Sequence, residues 1–405
     1  MRSVLLVSAL VLALATPARA QVHQLICSSV DAPGTSLTLL PGDDHRVLVG
    51  ACGTYIALHV ERGPSGLTAV GDATFAWSGA AAAPTDGTDP DTLQTVRPLV
   101  MDLAGGREPE LALGFAQFSP HGGGRGGGVY LVPLAPDGTF GRATHPFRGL
   151  PTALTHFDAD GEGREDLVVI ENGEPWASHA GGVSIYVRGR RTRRLADVVM
   201  APVDGAISGT GTSAQVLVAS QAFSSETTTV AASLAVTPVI GGATTMLPLP
   251  HDAWVDTFAD FDGDGAIDIA FAALDGIYIA SSSIDRVRVV DHQSTRVLGL
   301  VDLDGTGMHA LAFCTNDHLR VATCDATRCW SVPWLGASCE SFVDVLIADF
   351  DGDGTREMLM ASREHYMDDE SRSAVWLTFI PAPAMHTGVR VVTQPFTAGP
   401  TIVLR

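Results

Sequence analysis

The sequence contains no lysine, and its 25 basic residues, all arginine, are outnumbered by 45 acidic residues for a formal net charge of −20. Nucleic-acid phosphates require clustered cations, so this balance argues against a general nucleic-acid binder. Charged residues make up only 17% of the chain and hydrophobic residues 46%, which argues against a disordered acidic chain. Aromatic residues are scarce, glycines number 43, and long charged helical stretches are lacking. The composition therefore favours a β-rich fold.

No segment after residue 20 is apolar for the ~20 residues that a membrane-spanning helix requires. The N-terminus carries Arg2, then an apolar stretch from Val4 to Ala15, then Ala18-Arg19-Ala20. This order predicts a signal peptide over residues 1–20, cleaved near Ala20, and a secreted protein, extracellular or periplasmic. A membrane anchor is the alternative, but the apolar run is too short for one. The residue directly after the cleavage point is Gln21 and not a cysteine, which argues against a lipoprotein.

The mature chain keeps an even number of cysteines, which in an exported protein predicts disulfides. They are Cys27, Cys52, Cys314, Cys324, Cys329 and Cys339. Cys27 and Cys52 lie near each other at the N-terminus and are predicted to pair. The other four would staple one local region, and their spacing leaves a Cys324–Cys329 bridge and its rivals open. A zinc site is disfavoured because no Cys-x-x-Cys spacing occurs.

Three short segments share one pattern of acidic residues. Each has carboxylates at positions 1, 3, 5 and 9 and glycine at position 6, and each runs into an apolar segment of β type. The acids are Asp158, Asp160, Glu162 and Asp166; Asp260, Asp262, Asp264 and Asp268; and Asp349, Asp351, Asp353 and Glu357. Calcium takes about six to eight oxygen ligands, and alternating acids on a tightly turning loop direct their oxygens inward. The pattern predicts about three Ca²⁺ sites.

The EF-hand loop begins in the same way, but it ends with a bidentate Glu at position 12 and is flanked by helices. Position 12 is here Val169, Phe271 or Met360, and the last acid stands at position 9. The flanking segments are short and strand-like. EF-hand and dockerin interpretations are therefore rejected.

Weaker copies of the pattern recur along the chain. The copy with Asp302 and Asp304 has lost positions 5 and 9 and predicts a weak fourth Ca²⁺ site. Others begin at Asp102, at Ala206 and, in the most degenerate form, at Leu39, for a total of seven copies. A repeat of roughly fifty residues with several short strands and glycine-rich turns is typical of a propeller blade.

The loops and their spacing resemble the FG-GAP/VCBS repeat family, whose acid-rich loops also occur in the integrin α-subunit headpiece. The resemblance covers nearly all of the mature chain and is strongest in the three complete copies. It implies an all-β fold, a seven-bladed β-propeller of four-stranded antiparallel blades, as one domain over residues 21–405. It also implies that Ca²⁺ is held between the first and second strands of some blades.

In such a blade, the connections between strands one and two and between strands three and four share one face, and the two-to-three connection lies on the other. The calcium loops are therefore expected on one face. Long two-to-three connections are predicted in blades 2, 3, 4 and 7, and long loops commonly carry binding function. We predict that residues of these loops form a ligand-binding surface, namely Phe118, His121, Arg125, Trp176 and His179. An equal alternative is that the long loops are surface insertions without a binding role.

Two unusual segments are expected in connections between strands, one rich in glycine and one rich in arginine. The stretch from Gly122 to Gly128 lacks the ending of a P-loop and opens no helix, so we predict a flexible hairpin connection and not a phosphate cradle. A basic cluster is expected on a three-to-four hairpin of the calcium face, as a solvated tip or a polyanion site. Its members are Arg188, Arg190, Arg191, Arg193 and Arg194.

No linear catalytic motif such as His-Glu-x-x-His or Gly-x-Ser-x-Gly is present. Propellers also assemble active sites from separate blades, so enzyme activity is left open but disfavoured. The leading hypothesis is an exported calcium-binding propeller that acts as a binding or adhesion module for a protein or glycan partner. The alternative is a secreted carbohydrate-active enzyme, a lyase or hydrolase. A scaffold without a discrete ligand is the third hypothesis.

Overall fold

The computed structural model describes residues 21–404 with internal gaps. The gaps are residues 31–34, 42–45, 64–65, 79–91, 104–108, 119–123, 159–161, 173–180, 188–189, 200–201, 221–222, 225–228, 250–252, 293–295, 304–308, 316–317, 336–341, 367–368, 381–390 and 395. In the described ranges the regular structure is β-strand apart from one 3₁₀ helix, Gly211–Ser213. Among these residues no helix is long and apolar enough to cross a membrane.

The strands form seven antiparallel blades, which confirms the predicted seven-bladed β-propeller. The first described strand, β1 (Gln21–Val30), belongs to the last blade. Blade 1 contains β2 (Ser36–Leu39), β3 (Arg46–Ala51), β4 (Thr54–Gly63) and β5 (Gly66–Trp77). Blade 2 contains β6 (Thr92–Thr95), β7 (Leu99–Met101), β8 (Glu110–Phe118), β9 (Gly124–Pro133) and β10 (Thr144–Arg148).

The middle blades follow the four-stranded order predicted from the repeat. Blade 3 contains β11 (Pro151–Phe157), β12 (Asp166–Glu171), β13 (Gly181–Val187) and β14 (Arg190–Val199). Blade 4 contains β15 (Pro202–Ser208), β16 (Gln215–Ser220), β19 (Ser233–Pro238) and β20 (Thr245–Pro248), and a small hairpin, β17 (Phe223–Ser224) with β18 (Thr229–Val230), lies in its two-to-three connection.

The remaining blades complete the ring. Blade 5 contains β21 (Trp254–Ala259), β22 (Asp268–Ala273), β23 (Gly276–Ser281) and β24 (Val287–Asp291). Blade 6 contains β25 (Arg296–Asp302), β26 (His309–Thr315), β27 (His318–Cys324) and β28 (Cys329–Leu335). Blade 7 contains β29 (Phe342–Ala348), β30 (Glu357–Tyr366) and β31 (Asp369–Ile380), extended by β1 and then by β32 (Val391–Gln394). The last strand, β33 (Thr401–Leu404), runs parallel to β5 in blade 1.

The hydrophobic core is divided into seven clusters, and each cluster lies between two neighbouring blades. One of them joins blade 1 to blade 7, with Val49 and Leu58 packed in the same cluster as Phe350 and Leu377. An open row of seven blades would have only six such seams. The presence of the seventh shows that the ring is closed by side-chain packing, because each sheet has to bury both of its apolar faces.

Several contacts reinforce the seam between blades 7 and 1. β1 pairs antiparallel with β31, so the N-terminal strand supplies the fourth strand of the last blade. The Cys27–Cys52 disulfide, which the sequence predicted, joins β1 to the β3–β4 turn. The buried Gln24 side chain accepts the Ala69 N–H at 2.6 Å and donates to its carbonyl at 3.2 Å. The N-terminal strand, a buried side chain and a covalent bond therefore all fasten this one seam.

The second described disulfide joins Cys324 to Cys329 across the β27–β28 turn, one of the pairings that the spacing had left open. Cys314 is disulfide-bonded as well, and Cys339 lies outside the described residues. No free cysteine remains in the described part of the chain. Disulfides are typical of oxidising compartments, so this cysteine usage is consistent with an extracellular location.

The first strand of each blade lines the centre of the ring, where β11, β15, β21, β25 and β29 contact one another in sequence. All five carry a bulge near their start, opposite the second strand of the blade. Blade 2 is interrupted at the corresponding place, between β6 and β7, at Arg97-Pro98. Proline lacks the N–H that the ladder needs, which accounts for the break. A bulge re-aims a side chain, and this ring of bulges redirects side chains around the channel.

The glycine-rich connection predicted in blade 2 is wrong in part, because β9 begins at Gly124 and pairs with β8. The glycines serve close approach between strands: a Cβ at Gly127 would lie 2.2 Å from the Phe115 carbonyl oxygen, and one at Gly128 would lie 2.2 Å from His145 Nε2. Only glycine fits at such positions. The connection in blade 7 is also shorter than expected, because β30 extends to Tyr366 and β31 begins at Asp369.

Candidate functional site

The acid-rich loop of blade 5 connects β21 to β22. Asp260 organises it: its Oδ1 accepts the Gly263 N–H at 2.7 Å and its Oδ2 accepts the Gly265 N–H at 2.9 Å. Gly263 and Gly265 have φ values of 76° and 84°, a left-handed conformation that other residues rarely adopt. The glycines therefore let the backbone turn around the first carboxylate of the loop.

The loop of blade 7, between β29 and β30, is built in the same way. Asp349 Oδ1 accepts the Asp353 N–H at 3.1 Å and its Oδ2 accepts the Gly354 N–H at 2.9 Å. Gly352 and Gly354 have φ values of 70° and 82°. The two loops share one local structure because they share one spacing of acids and glycines.

The loop of blade 3, between β11 and β12, repeats the first part of this geometry. Asp158 accepts the N–H groups of Glu162 and Gly163 at 3.1 and 2.8 Å. Asp166, the acid at position 9, is buried at the start of β12. Asp160 lies outside the described residues. The described part of this loop is therefore arranged like its two counterparts.

Two of the loops gather carboxylate oxygens tightly enough for a metal ion. Asp260, Asp262 and Asp264 each offer an oxygen within 4.8 Å of the others, and so do Asp349, Asp351 and Asp353. Oxygens bound to calcium at about 2.4 Å lie no more than about 4.8 Å apart. Hard carboxylate oxygens suit calcium or magnesium better than softer metals. Both groups fit a hard divalent cation.

Glu357, at position 9 of the blade 7 loop, adds an independent indication. Its side chain is fully buried, and Oε2 accepts the Phe350 N–H at 3.1 Å. The buried Oε1 has no hydrogen-bond donor. Burial raises the pKa of Glu357 to about 7, and the charges of Asp351 and Asp353 add to the effect. A buried carboxylate oxygen without a donor is costly, and a cation in the loop would satisfy it.

The corresponding acid of blade 5, Asp268, is held by an arginine. Arg288, on β24, places Nη1 2.6 Å from Asp262 Oδ2 and Nη2 2.6 Å from Asp268 Oδ2. Nη1 also donates to the Asp325 carbonyl of blade 6 at 2.7 Å. All three charged side chains are nearly inaccessible to solvent. Burial raises the pKa of Asp268 to about 6, although the Arg288 charge lowers it in part.

An arginine from the neighbouring blade approaches the blade 7 loop. Arg62, near the end of β4 in blade 1, places Nη2 3.0 Å from Asp353 Oδ2 and 3.5 Å from Glu357 Oε1. The same nitrogen contacts Asp351 Oδ2. Sequence reasoning missed both arginines. Arg288 had a local signal, since it occupies an inward position of the alternating segment Val287-Arg-Val-Val290, whereas Arg62 had none.

Only one of the two acids of the weaker predicted site lies within the described residues, so this site stays a prediction. Asp302, at the end of β25, has Arg356 Nη1 3.9 Å from its Oδ1, and Asp304 lies outside the described residues. The three complete loops all join the first strand of a blade to the second, so they share one face as predicted. Of the predicted basic cluster, Arg188 lies outside the described residues, and the other four arginines lie on β14, which begins at the same end of blade 3 as Asp166.

A cavity of about 540 Å³ lies between blades 1 and 2, on the face that carries the acid-rich loops. Its lining includes Arg46, His59, Asp72, Asp137, Phe140 and Ile402. Asp72 binds both Arg46 Nε, at 3.1 Å, and His59 Nδ1, at 2.7 Å. Burial lowers the pKa of His59, but hydrogen bonds with Glu61 and Asp72 outweigh it, so the pKa is raised. The Arg46 guanidinium lies 5.0 Å from the Phe140 ring centroid, so charge and an aromatic face meet in this cavity.

The channel holds a charged group that the sequence did not predict. Arg97 Nη2 of blade 2 lies 2.9 Å from Asp344 Oδ2 of blade 7, and a Cβ at Gly299 of blade 6 would lie 2.9 Å from Asp344 Oδ1. The charge of Asp344 raises the pKa of Arg97, and the charge of Asp204 in blade 4 adds to this effect. Burial raises the pKa of Asp204 to about 6. Residues from these blades can meet only near the axis.

Most of the predicted ligand surface lies outside the described residues, namely His121, Trp176 and His179. Phe118 is half-buried at the end of β8 and pairs with Thr92 and Gly124. Arg125 lies in β9, in a strand and not in the predicted connection. The hypothesis of a surface formed by these five residues stays a prediction.

Comparison with known proteins adds little to this description. No family model matches the sequence, and no curated protein matches it. The chain is similar to a solved structure described as "Structure of Dos1 propeller", with 6% identity and a TM-score of 0.45 over 94% of this chain and 98% of that one. A likeness of this degree carries no functional argument, and the fold assignment rests on the strand pairing itself.

Proposed function

We propose that the protein is an exported, calcium-stabilised propeller of the FG-GAP/VCBS type that acts as a binding or adhesion module for a protein or glycan partner. The observation that carries the calcium part is the pair of acid-rich loops with three converging carboxylates each. The buried, donor-less Oε1 of Glu357 supports it further. The exported location is supported by the predicted signal peptide and by the disulfides.

Calcium would be held by the acids of each complete loop: Asp158, Asp160, Glu162 and Asp166; Asp260, Asp262, Asp264 and Asp268; and Asp349, Asp351, Asp353 and Glu357. Bound there, the ion would neutralise acids that otherwise repel one another and would tie the end of the first strand to the start of the second. Its binding free energy would add to folding stability, by about 2.7 kcal/mol per site at a hundredfold excess over Kd.

The test compares thermal unfolding in millimolar calcium and in chelator for the full-length protein and for three matched variants. Glu162→Gln, Asp264→Asn and Asp353→Asn each remove one charge at position 5, where the side chains are exposed and contribute little packing. Calcium should raise Tm of the wild type, and each variant should lose part of that rise. Asp275→Asn, at an exposed turn, is the control. A Tm that calcium leaves unchanged would overturn the proposal.

The binding role is supported by the cavity between blades 1 and 2, which combines Arg46, Asp72 and the Phe140 ring, groups suited to a polar ligand with an apolar face. The predicted surface on the opposite face is the second candidate. A screen of glycans and proteins with and without calcium should reveal a partner. Asp72→Ala tests the cavity, and a double variant of Arg125 and Trp176 tests the opposite face. If neither affects binding to the partner, both assignments fail.

A second candidate function, a secreted carbohydrate-active enzyme, is favoured by the channel group. Asp204 and Asp344 both have raised pKa values through burial, and Arg97 lies between blades beside them. A carboxyl group that stays protonated and acts as an acid, together with a second carboxyl group, is the usual equipment of glycosidic-bond chemistry. Polysaccharide degradation that disappears in Asp204→Asn, with the fold retained, would support this function. Binding without turnover across a broad polysaccharide panel would reject it.

A further inference from the structure

The acid-rich loops of blades 5 and 7 each contact an arginine, and the two arginines differ in how firmly they are held. Arg288 keeps only 5% of its side-chain accessibility and is anchored by a third contact to the Asp325 carbonyl. Arg62 keeps 41% and reaches its loop from another blade. A buried, multiply bonded arginine is costly to remove from its partners, whereas an exposed one can be rehydrated at little cost.

Arg62 reaches into the blade 7 loop among the acids that would hold a cation. A single nitrogen, Nη2, faces the carboxylates at positions 3, 5 and 9, which belong to Asp351, Asp353 and Glu357. Asp349, at position 1, instead receives backbone N–H groups. One guanidinium supplies a single positive charge to four acids and leaves Glu357 Oε1 without a hydrogen bond. Arg62 therefore neutralises only part of the negative charge of the loop and leaves one of its carboxylate oxygens without a hydrogen bond.

A calcium ion and this guanidinium would need the same oxygens. Calcium binds carboxylate oxygens at about 2.3–2.6 Å, so an ion among these three acids would stand within a few ångströms of Nη2, where two positive charges repel. The side chain has a route out, because two-fifths of it is already exposed. Binding of the ion and departure of Arg62 would then be one exchange.

We propose that Arg62 is a tethered competitor of calcium at the blade 7 loop. This inference rests on the proposed calcium binding. At low calcium, Arg62 spans the seam between blades 1 and 7 and holds the acids together. At high calcium, the ion takes its place and Arg62 moves to solvent, so the affinity of this loop is set by an arginine of the neighbouring blade. In the loop of blade 5, the buried Arg288 is held too firmly to exchange in this way, and an ion bound by Asp260, Asp262 and Asp264 would lie beside it.

The first experiment measures calcium affinity of the full-length protein by calorimetry. Arg62→Gln removes the competing charge and should bind calcium at least tenfold more tightly at one site than the wild type. Arg142→Gln, which removes the charge of an exposed arginine in blade 2, is the matched control and should leave the affinity unchanged. Adding Asp353→Asn to Arg62→Gln should abolish the tightened site, which would locate it in blade 7.

The outcomes separate the two proposals. Calcium binding by the wild type with unchanged or weaker affinity in Arg62→Gln would overturn the competition and leave the proposed calcium function standing. Absence of calcium binding in both proteins at millimolar concentration would overturn both. Tightening in Arg62→Gln that persists after Asp353→Asn would also overturn the competition, since the affected site would lie elsewhere.

A second measurement follows the arginine itself and does not depend on a variant. Arginine-selective dicarbonyl labelling of the wild type, read by mass spectrometry, reports how accessible each guanidinium is. Calcium should increase the labelling of Arg62 severalfold and leave that of Arg142 unchanged. Labelling of Arg62 that stays constant or falls in calcium would contradict the exchange.

Discussion

Arg97 and Asp344 form an ion pair across the central channel, with Nη2 2.9 Å from Oδ2. Asp344 also accepts the N–H groups of Leu37 and Val345, both at 2.8 Å. One carboxylate thus connects blades 7, 2 and 1, while Gly299 of blade 6 leaves it room.

Asp344→Ala should destabilise the protein by about 3 kcal/mol, because two buried N–H groups lose their acceptor and Arg97 loses its partner. Urea unfolding followed by fluorescence measures the change. Asp275→Ala, which removes an exposed acid from a tight turn, should change stability by less than about 0.5 kcal/mol. Equal effects of the two substitutions would show that Asp344 does not hold the blades together.

The number of blades was predictable from the sequence, including blade 1, whose acid loop is almost unrecognisable. The reason is that the apolar strand that follows each loop is still recognisable in the sequence, even where the loop itself has lost its acids. Val47-Leu-Val in β3 matches Leu167-Val-Val in β12. The pairing of β33 with β5 was not predictable, because a parallel strand at the outer edge of a blade follows no repeat. The lengths of β9 and β30 were also misjudged, since glycine and polar residues within strands resemble a loop.

Asp204 predicts an unusual dependence of stability on pH. Its pKa in the folded protein, about 6, lies above that of an unfolded chain, so the folded state binds more protons between about pH 4 and about pH 6, and stability falls as the pH rises through this window. Asp204→Asn should escape that loss. It should be more stable than the wild type at about pH 8, by up to about 3 kcal/mol, and equally stable at about pH 4.

The measurement is urea unfolding of both proteins at the two pH values. Asp275→Asn, at an exposed turn, should follow the wild type at both. A variant that is less stable than the wild type at the higher pH would show that the charged form of Asp204 is stabilised by its surroundings, against the pKa assigned to it.

Arg288→Gln should destabilise the protein by about 3–5 kcal/mol in chelator, because Asp262 and Asp268 would remain buried without their cation. If the loop binds calcium as proposed, millimolar calcium should restore much of that stability. The control is Arg286→Gln, since Arg286 is half-exposed and 3.7 Å from Asp264, and it should cost less than about 1 kcal/mol. A loss that calcium does not reduce would mean that Arg288 has a role which the ion does not share.

Removal of the Cys27–Cys52 disulfide should cost more than removal of Cys324–Cys329. The first closes a loop with a sequence separation of 25 and the second one of 5. Loop-closure entropy alone gives about 3.5 and about 2 kcal/mol. Paired Cys→Ser variants, compared by thermal and urea unfolding, test the order. A larger loss from Cys324→Ser with Cys329→Ser would indicate that the β27–β28 turn depends on its bridge for geometry.

The acid loops were predictable because their chemistry is local: four acids and the glycines lie within nine residues, and the turn follows from them. Arg62, which contacts the blade 7 loop, was not predictable, because it is separated from Asp351 by 289 residues. The ion pair between Arg97 and Asp344 in the channel was unpredictable for the same reason, since the two residues are 247 positions apart in the sequence. Only the closed ring brings such residues together, so no local pattern could have placed them.

The position of β1 also determines when the ring can close during synthesis. β1 is made before the other described strands, yet its partner β31 belongs to the last blade, so the edge of β1 that pairs with β31 stays unpaired until β31 has been made. A chain truncated before β31 would expose that edge permanently, and exposed edges recruit strands from other molecules. Incomplete chains should therefore aggregate. In the complete chain, β1 and β31 are far apart in sequence, so the ring should close late and slowly, after β31 has been made.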